Sequence, residues 1–257
     1  MDLTQAVAEL APAELATLAS TVATHLAGSV FTASTEGQLL ETAEVLERAN
    51  RRFDGATSAL LAEISDRSAY RKAGFLSLHA YLAGGLRLGD GEAKRRRITG
   101  AGIARLANLQ GETLAPVFPA TAEAVADGAI GADHVVVIDE VMRKIPSAVD
   151  PQVRAGAEAR LAEVARDLTP AGVRTAGHRL LAHLDPDGAL TDERDRKRLR
   201  QFGLGGQDQR LMSKVRGYLT PELRARFEVM FDSWAKPGMN NPADPASPRG
   251  AAEAADP

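Results

Sequence analysis

The chain has 257 residues, 44% of them hydrophobic and 25% charged, enough to bury a sizeable core in one large domain or two smaller ones. It contains no cysteine, which excludes disulfides, thiol catalysis and Cys-ligated zinc or iron–sulfur sites. A formal net charge of −3 hides a polarised distribution. Residues 1–63 hold nine acids against three arginines, whereas residues 194–226 hold ten bases against three acids, a pattern compatible with nucleic-acid contact through one region.

At the N-terminus, Met1 to Gln5 shows neither a basic segment nor an apolar run, so no signal peptide is expected. No stretch of about 18 apolar residues appears anywhere, so no membrane partner is expected and a cytoplasmic location is the default. Leu15, Leu18, Val22 and Leu26 are spaced for an amphipathic helix entered through Pro12. Leu39, Leu46, Phe53 and Leu60 then fall seven apart, a helical seam about 30 residues long. The spacing predicts an antiparallel hairpin between these two helices, while the same seam can pair with another copy of the chain.

Past Gly74, Ser77 is placed to cap a helix running to about Leu86. Leu88 and Gly89 make a tight connection, and Asp90 caps the next helix. Its buried stripe is expected at Ile98, Gly102, Leu106 and Leu109, with Arg96 and Arg97 turned outward. Pro116 and Pro119 precede a helix ending at Gly128, and Asp133 to Lys144 is again helical. Two more helices follow, from Asp150 to Asp167 and from Thr169 to Leu184. The character changes at Leu184-Asp-Pro-Asp-Gly188. Arg198 to Leu204 and Gln209 to Leu219 read as a hairpin turning at Gly205 to Asp208. Thr220-Pro221-Glu222 opens a last helix to Trp234, and the Pro- and Asn-rich remainder has linker composition. The expected fold class is mainly α, a multi-helix domain with a small C-terminal β-hairpin and a final helix. Its expected parts are an N-terminal helical hairpin (1–72), a core with helix-turn-helix-like units (73–184), a basic hairpin plus helix (185–235) and a linker (236–257).

Five segments taken in order resemble the actinobacterial domain-of-unknown-function family 222. They are Gly74-Phe75…Ser77…Tyr81-Leu82, Glu92-Ala93 with its basic run, Pro119…Ala124…Gly128-Ala-Ile130…His134, Leu184-Asp-Pro-Asp-Gly188, and Gly217-Tyr-Leu-Thr-Pro-Glu222. The resemblance covers roughly residues 10–236 and implies the module that usually precedes an HNH endonuclease domain. In that domain, His residues and an Asn hold a divalent metal against a phosphodiester. No histidine occurs after His183 and no HNH-like segment follows. What the resemblance implies for residues 1–257 is therefore an accessory module, with nuclease activity expected only of a longer parent protein.

Two cationic segments are the candidate DNA contacts. Lys94, Arg95, Arg96 and Arg97 follow a helix–Gly turn–helix and can neutralise phosphates, or can form a solvated helix face. Arg196, Arg198 and Arg200 fall on one face if their segment is a strand, and Lys214 and Arg216 lie on the return strand. Such a ribbon can track phosphates, or it can be an edge hairpin kept soluble by charge. The Glu123–Ile138 unit has the rhythm of a helix-turn-helix, but its apolar second helix reads as buried. His178 and His183 are five apart, and His79 and His134 lie in separate units, so no metal site is expected. Asp185 and Asp187 mark a turn rather than a calcium loop. No catalytic motif and no cofactor site emerge. The alternative to DNA contact is a protein–protein or homo-oligomerisation module working through Leu39, Leu46, Phe53 and Leu60.

Overall fold

The computed structural model describes residues 3–106, 108, 110–186 and 190–234, together with positions 238, 239, 245 and 247. Among them are eleven α-helices and one two-stranded antiparallel sheet. The helices are α1 (Leu3–Ala8), α2 (Pro12–Ala27), α3 (Glu36–Asp66), α4 (Leu78–Ala80, continuing as a π-helical turn Tyr81–Gly85), α5 (Asp90–Ile103), α6 (Pro119–Ala126), α7 (Ala132–Lys144), α8 (Pro151–Ala165), α9 (Pro170–Leu184), α10 (Glu193–Leu199) and α11 (Pro221–Trp234). The strands are β1 (Gln201–Gln207) and β2 (Ser213–Tyr218), paired only with each other. The fold is mainly α, with the hairpin and a final helix after it. No helix among the described residues is long and apolar enough to cross a membrane. The expected linker over 236–257 falls almost entirely outside the described residues, as do Leu109, Asp187 and Gly188.

At the centre lies α7. Val135, Ile138, Val141 and Met142 are buried on it, and Ile145 follows just past its end. A run of β-branched residues is a poor helix former. Burial reverses that preference, since covering each such side chain is worth about 1.5–3 kcal/mol. Around α7 pack α5, α8 and α9, and α6 leans on α8. Val141 fits against Gly177 of α9, where any larger side chain meets its methyl groups. A buried carboxylate locks the α6–α8 contact. Glu158, 4% exposed, accepts from Thr121 N at 2.7 Å and Thr121 Oγ1 at 2.5 Å, satisfying donors that the first turn of α6 leaves without helical partners.

The C-terminal half of α3 grips the turn between α6 and α7. Arg51 Nη1 donates to Ala129 O at 2.6 Å, and Arg52 donates from Nε to Ala126 O at 3.3 Å and from Nη2 to Asp127 O at 3.1 Å. Asp54 Oδ2 accepts from Ala132 N at 2.9 Å, at the start of α7. Gly128 closes α6 at φ +74 against Arg48, the left-handed conformation that glycine adopts at least cost. Lower on the same helix, Leu61 joins Leu82 and Ala93 in a smaller buried cluster.

The predicted pairing of the Leu39–Leu60 seam with the first helix is not what the structure shows. No residue of α2 is buried, and Leu39, Phe53 and Leu60 are 41%, 52% and 60% exposed. The reason is rotational. Ser58 and Leu61 face the core, roughly 80–160° around the helix from Phe53 and Leu60 at 100° per residue. On α5 the stripe also differs from expectation. Ala93, Thr99, Gly100, Gly102 and Ile103 are buried, Ile98 is half-buried, and Leu106 lies beyond the helix end. Gly89, not Asp90, is the residue that precedes the helix. Small residues allow α5 to sit closely between α3 and α7, which shifts the buried face away from the larger side chains.

Candidate nucleic-acid interface

The hairpin is exposed on both faces along its whole length. Gly203 stands opposite Arg216, and Leu204 opposite Val215. Alternation along β2 puts Lys214, Arg216 and Tyr218 on one side and Val215 on the other. Across from the two cations β1 presents glycines. Gly203 has no side chain to set against Arg216, and a methyl group at position 205 would stand 3.4 Å from the Lys214 carbonyl oxygen. One face is thus a bare stretch of backbone bordered by Arg216 and Lys214. The other carries Phe202, Leu204 and Val215, with the Phe202 ring 6.0 Å from Phe227 of α11 and Phe227 5.6 Å from Phe231.

The turn sits later than the Gly205–Asp208 expectation. Asp208 Oδ1 accepts from Arg210 N at 2.8 Å and Met212 N at 2.9 Å, so an aspartate-built turn closes the loop. Gly205 and Gly206 lie within β1, at a register irregularity between Leu204 and Gln207. Pairs of glycines signal turns when read alone, and here they mark a bulge instead.

Arg196 and Arg198 are not on a strand. Asp192 caps α10 by accepting from Asp195 N at 2.8 Å, with acids in the first turn and bases in the last. Capping and helix-dipole complementarity, together with the absence of β-branched residues, outweigh the alternation that suggested a strand. Arg196 is exposed on this helix and Arg200 is exposed at its C-cap. Arg198 is spent on structure. Its Nη2 donates to Asp195 Oδ1 at 2.8 Å and to Ile145 O at 3.3 Å. Asp195, 1% exposed, also accepts from Ser147 N at 3.0 and 3.2 Å. Arg154 completes the network by donating to Met142 O at 2.8 Å and Ile145 O at 3.1 Å. Nothing in the local sequence shows that Ser147, 48 residues away, is the partner that fixes α10.

The Lys94–Arg97 run is half neutralised. Glu92 accepts from Arg95 at 2.7 and 3.0 Å and from Arg96 at 2.6 Å. Those hydrogen bonds, Arg95's foremost, hold the Glu92 carboxyl down at about 2. Arg95 also lies 3.5 Å from Asp133. Lys94 and Arg97 remain exposed. This run meets α7 at Asp133, near its start, and the α10 network meets it just past its end, so the two cationic groups are separated by about 20 Å of helix. They do not form one patch. The second helix-turn-helix-like unit offers no groove-reading helix, because its turn is held by α3 and α7 is core.

Among the described residues no group of three or more His, Asp or Glu is arranged to hold a metal ion. A cleft of about 670 Å³ lies between α6, α7 and α8, lined in part by Phe118, Asp139, Arg143, Arg154 and Glu158. Its charges are engaged in structure: Glu158 holds α6, Arg154 caps α7, and Asp139 lies 2.6 Å from Arg143.

These features define a helical platform bearing an exposed basic ribbon. The family model for a domain of unknown function, DUF222, matches residues 40–257, and the chain belongs to that family. Among its relatives, the uncharacterized protein MT1160 of Mycobacterium tuberculosis (strain CDC 1551 / Oshkosh) is 37% identical over 245 residues, 95% of this chain and 56% of that protein. The uncharacterized protein Rv1128c of Mycobacterium tuberculosis (strain ATCC 25618 / H37Rv) is 37% identical over 245 residues, 95% of this chain and 52% of that protein. In Mycobacterium bovis (strain ATCC BAA-935 / AF2122/97), the uncharacterized protein Mb1179c is 35% identical over 212 residues, 82% of this chain and 46% of that protein. The chain spans about half the length of these curated relatives. No solved structure matches it.

Proposed function

We propose that the chain is a non-catalytic module that contacts DNA through the cationic face of the β1–β2 hairpin. In longer proteins of the family it serves to position an HNH-type nuclease part on that DNA. The observation that carries this reading is the pairing of Arg216 with Gly203, and the closeness of Gly205 to the Lys214 backbone, on a fully exposed ribbon. Glycine within a strand often marks a bulge or a place where a ligand or another backbone approaches closely, and Gly203 lies outside the bulge. A phosphate can approach here, with the two cations beside it and Arg196 and Arg200 at the ribbon's base. A two-stranded ribbon also fits a DNA groove. No pattern of Asn, Gln or Arg points to particular bases, so the contact is backbone-directed and not sequence-reading.

Fluorescence anisotropy with a labelled duplex across a salt series tests it. Four phosphate contacts predict that log affinity falls with log salt at a slope of about −3 to −4. Lys214→Glu with Arg216→Glu should weaken binding about tenfold or more and flatten the slope by about two, whereas Arg198→Gln acts through stability. An unmutated chain that binds no duplex even at low salt removes the proposal. The competing reading, an interaction or oligomerisation module without DNA contact, draws on a separate surface, the open Leu39–Leu60 seam.

A further inference from the structure

We infer that the cationic face of the ribbon selects DNA with unpaired bases, Tyr218 stacking on a base while Arg216 and Lys214 hold the phosphates beside it. This rests on the contact through that face proposed above, and it names the form of DNA preferred there. Three observations carry it. Tyr218 is 64% exposed, and alternation along β2 sets it on the side of Lys214 and Arg216, about 7 Å beyond Arg216 along the strand. The ring contact that ties the hairpin to α11, Phe202 with Phe227, lies on the opposite face, so Tyr218 takes no part in it. Across the ladder, Tyr218 stands opposite Gln201 and Arg216 opposite Gly203. The diagonal neighbour of the ring is therefore bare backbone. A methyl group at position 203 would meet only the Arg216 carbonyl oxygen, at 4.0 Å, which leaves room for a flat group laid against the ring.

Phosphates alone call for cations and not for an aromatic side chain. A duplex buries the faces of its bases against one another, and taking one out of the stack is costly. An unpaired strand offers those faces freely. An antiparallel sheet that carries an exposed ring among cations suits such a strand, the ring taking a base and the cations the neighbouring phosphates. Every base has a π-face, so the contact stays tolerant of sequence. That agrees with a surface lacking a base-reading set of side chains. The phenol hydroxyl has a rival use, a hydrogen bond to a phosphate of intact duplex, which depends on the oxygen and not on the ring.

Fluorescence anisotropy with one labelled oligonucleotide free of self-complementarity, alone and annealed to its complement, tests the inference. The unmutated chain should bind the strand alone about tenfold or more tightly than the duplex. Tyr218→Ala should abolish that preference, weakening strand binding about tenfold and leaving duplex binding within about twofold. Tyr218→Phe keeps the ring and should keep the preference. The loss in Tyr218→Ala should be the same at every salt concentration, because stacking releases no counterions, whereas Lys214→Glu with Arg216→Glu flattens the salt dependence. The side chain is exposed, so circular dichroism should not change in either Tyr218 variant. Equal affinity for strand and duplex overturns the inference and leaves DNA contact standing, and binding of neither form removes both. A strand preference that survives Tyr218→Ala also overturns it. So do equal losses in Tyr218→Phe and Tyr218→Ala, which assign the hydroxyl to a phosphate.

Discussion

Between the α5–α9 core and the two projecting regions, the N-terminal arm and the hairpin with α11, the difference lies in what each does with its apolar residues. The core is built from Val, Ile, Leu and Ala, closely fitted, with its buried polar groups Glu158, Asp195 and Thr121 each hydrogen-bonded. The projections hold most of the aromatic residues. Phe118 is the one phenylalanine buried among those described, while Phe31, Phe53, Phe202 and Phe231 are at least 41% exposed. A chain with only 4% aromatics therefore keeps most of its rings outside its own interior. That is the composition of contact surfaces, which are enriched in aromatics relative to the rest of an exterior. The core supplies rigidity, and the projections supply adhesion.

That division is open to measurement. Ile138→Ala should cost about 2–5 kcal/mol and lower the melting temperature by roughly 5–15 °C. Phe53→Ser, although it removes a larger side chain, should stay within about 0.5 kcal/mol in the monomer. Comparable losses for the two would mean that the Phe53 face of α3 packs against the core. Next in size is Glu158→Ala, which strands the Thr121 amide and hydroxyl and should cost about 1–3 kcal/mol by chemical denaturation.

Asp195→Ala should act locally, loosening α10 and the hairpin. Amide exchange over residues 193–218 should accelerate about tenfold to a hundredfold, with α7 and α8 unaffected. Uniform acceleration across all of these would merge the two regions into one cooperative unit.

The smallest effect is that of pH on His134. Its Nε2 lies 3.0 Å from Leu168 O, and its Nδ1 accepts from Gly131 N at 3.4 Å. A ring that both donates and accepts is neutral. Burial pulls its pKa below the ordinary histidine value, although the Leu168 carbonyl opposes the shift. The unfolded chain takes up a proton near 6.5 while the folded one does not. Stability should therefore fall as pH drops through that value, levelling off below the folded pKa. Denaturant midpoints between pH 7.5 and 5.5 check this, and the slope should shrink in His134→Gln.

Helix starts were legible wherever the signal was local. Pro12, Asp150, Thr169 and Thr220 each open a helix close to where cap chemistry places it, and Asp150 and Thr169 accept from the next turn as caps do. The burial of the Val135–Ile138 run was legible too, because apolar residues on four successive positions leave little choice of surroundings. Destinations were not legible. The seven-residue spacing of the Leu39 seam says that one face of α3 is apolar, but not which face meets the core. That choice rests on Arg51, Arg52 and Asp54 finding a turn more than 70 residues away. At the candidate site, Lys214 and Arg216 stood out as cations, yet their value comes from Gly203 and Gly205 across the ladder. Arg198 was expected on a strand beside them, but it lies on α10 with its guanidinium paired to Asp195.

The hold that Arg51, Arg52 and Asp54 keep on the α6–α7 turn makes α3 a cantilever. About 18 Å of rod, from Glu36 to Arg48, overhangs that support, and a stiff helix passes any sideways load to its anchorage. Whatever seizes the tip therefore pulls first on the carbonyls of Ala126, Asp127 and Ala129, at the joint where α6 hands over to α7.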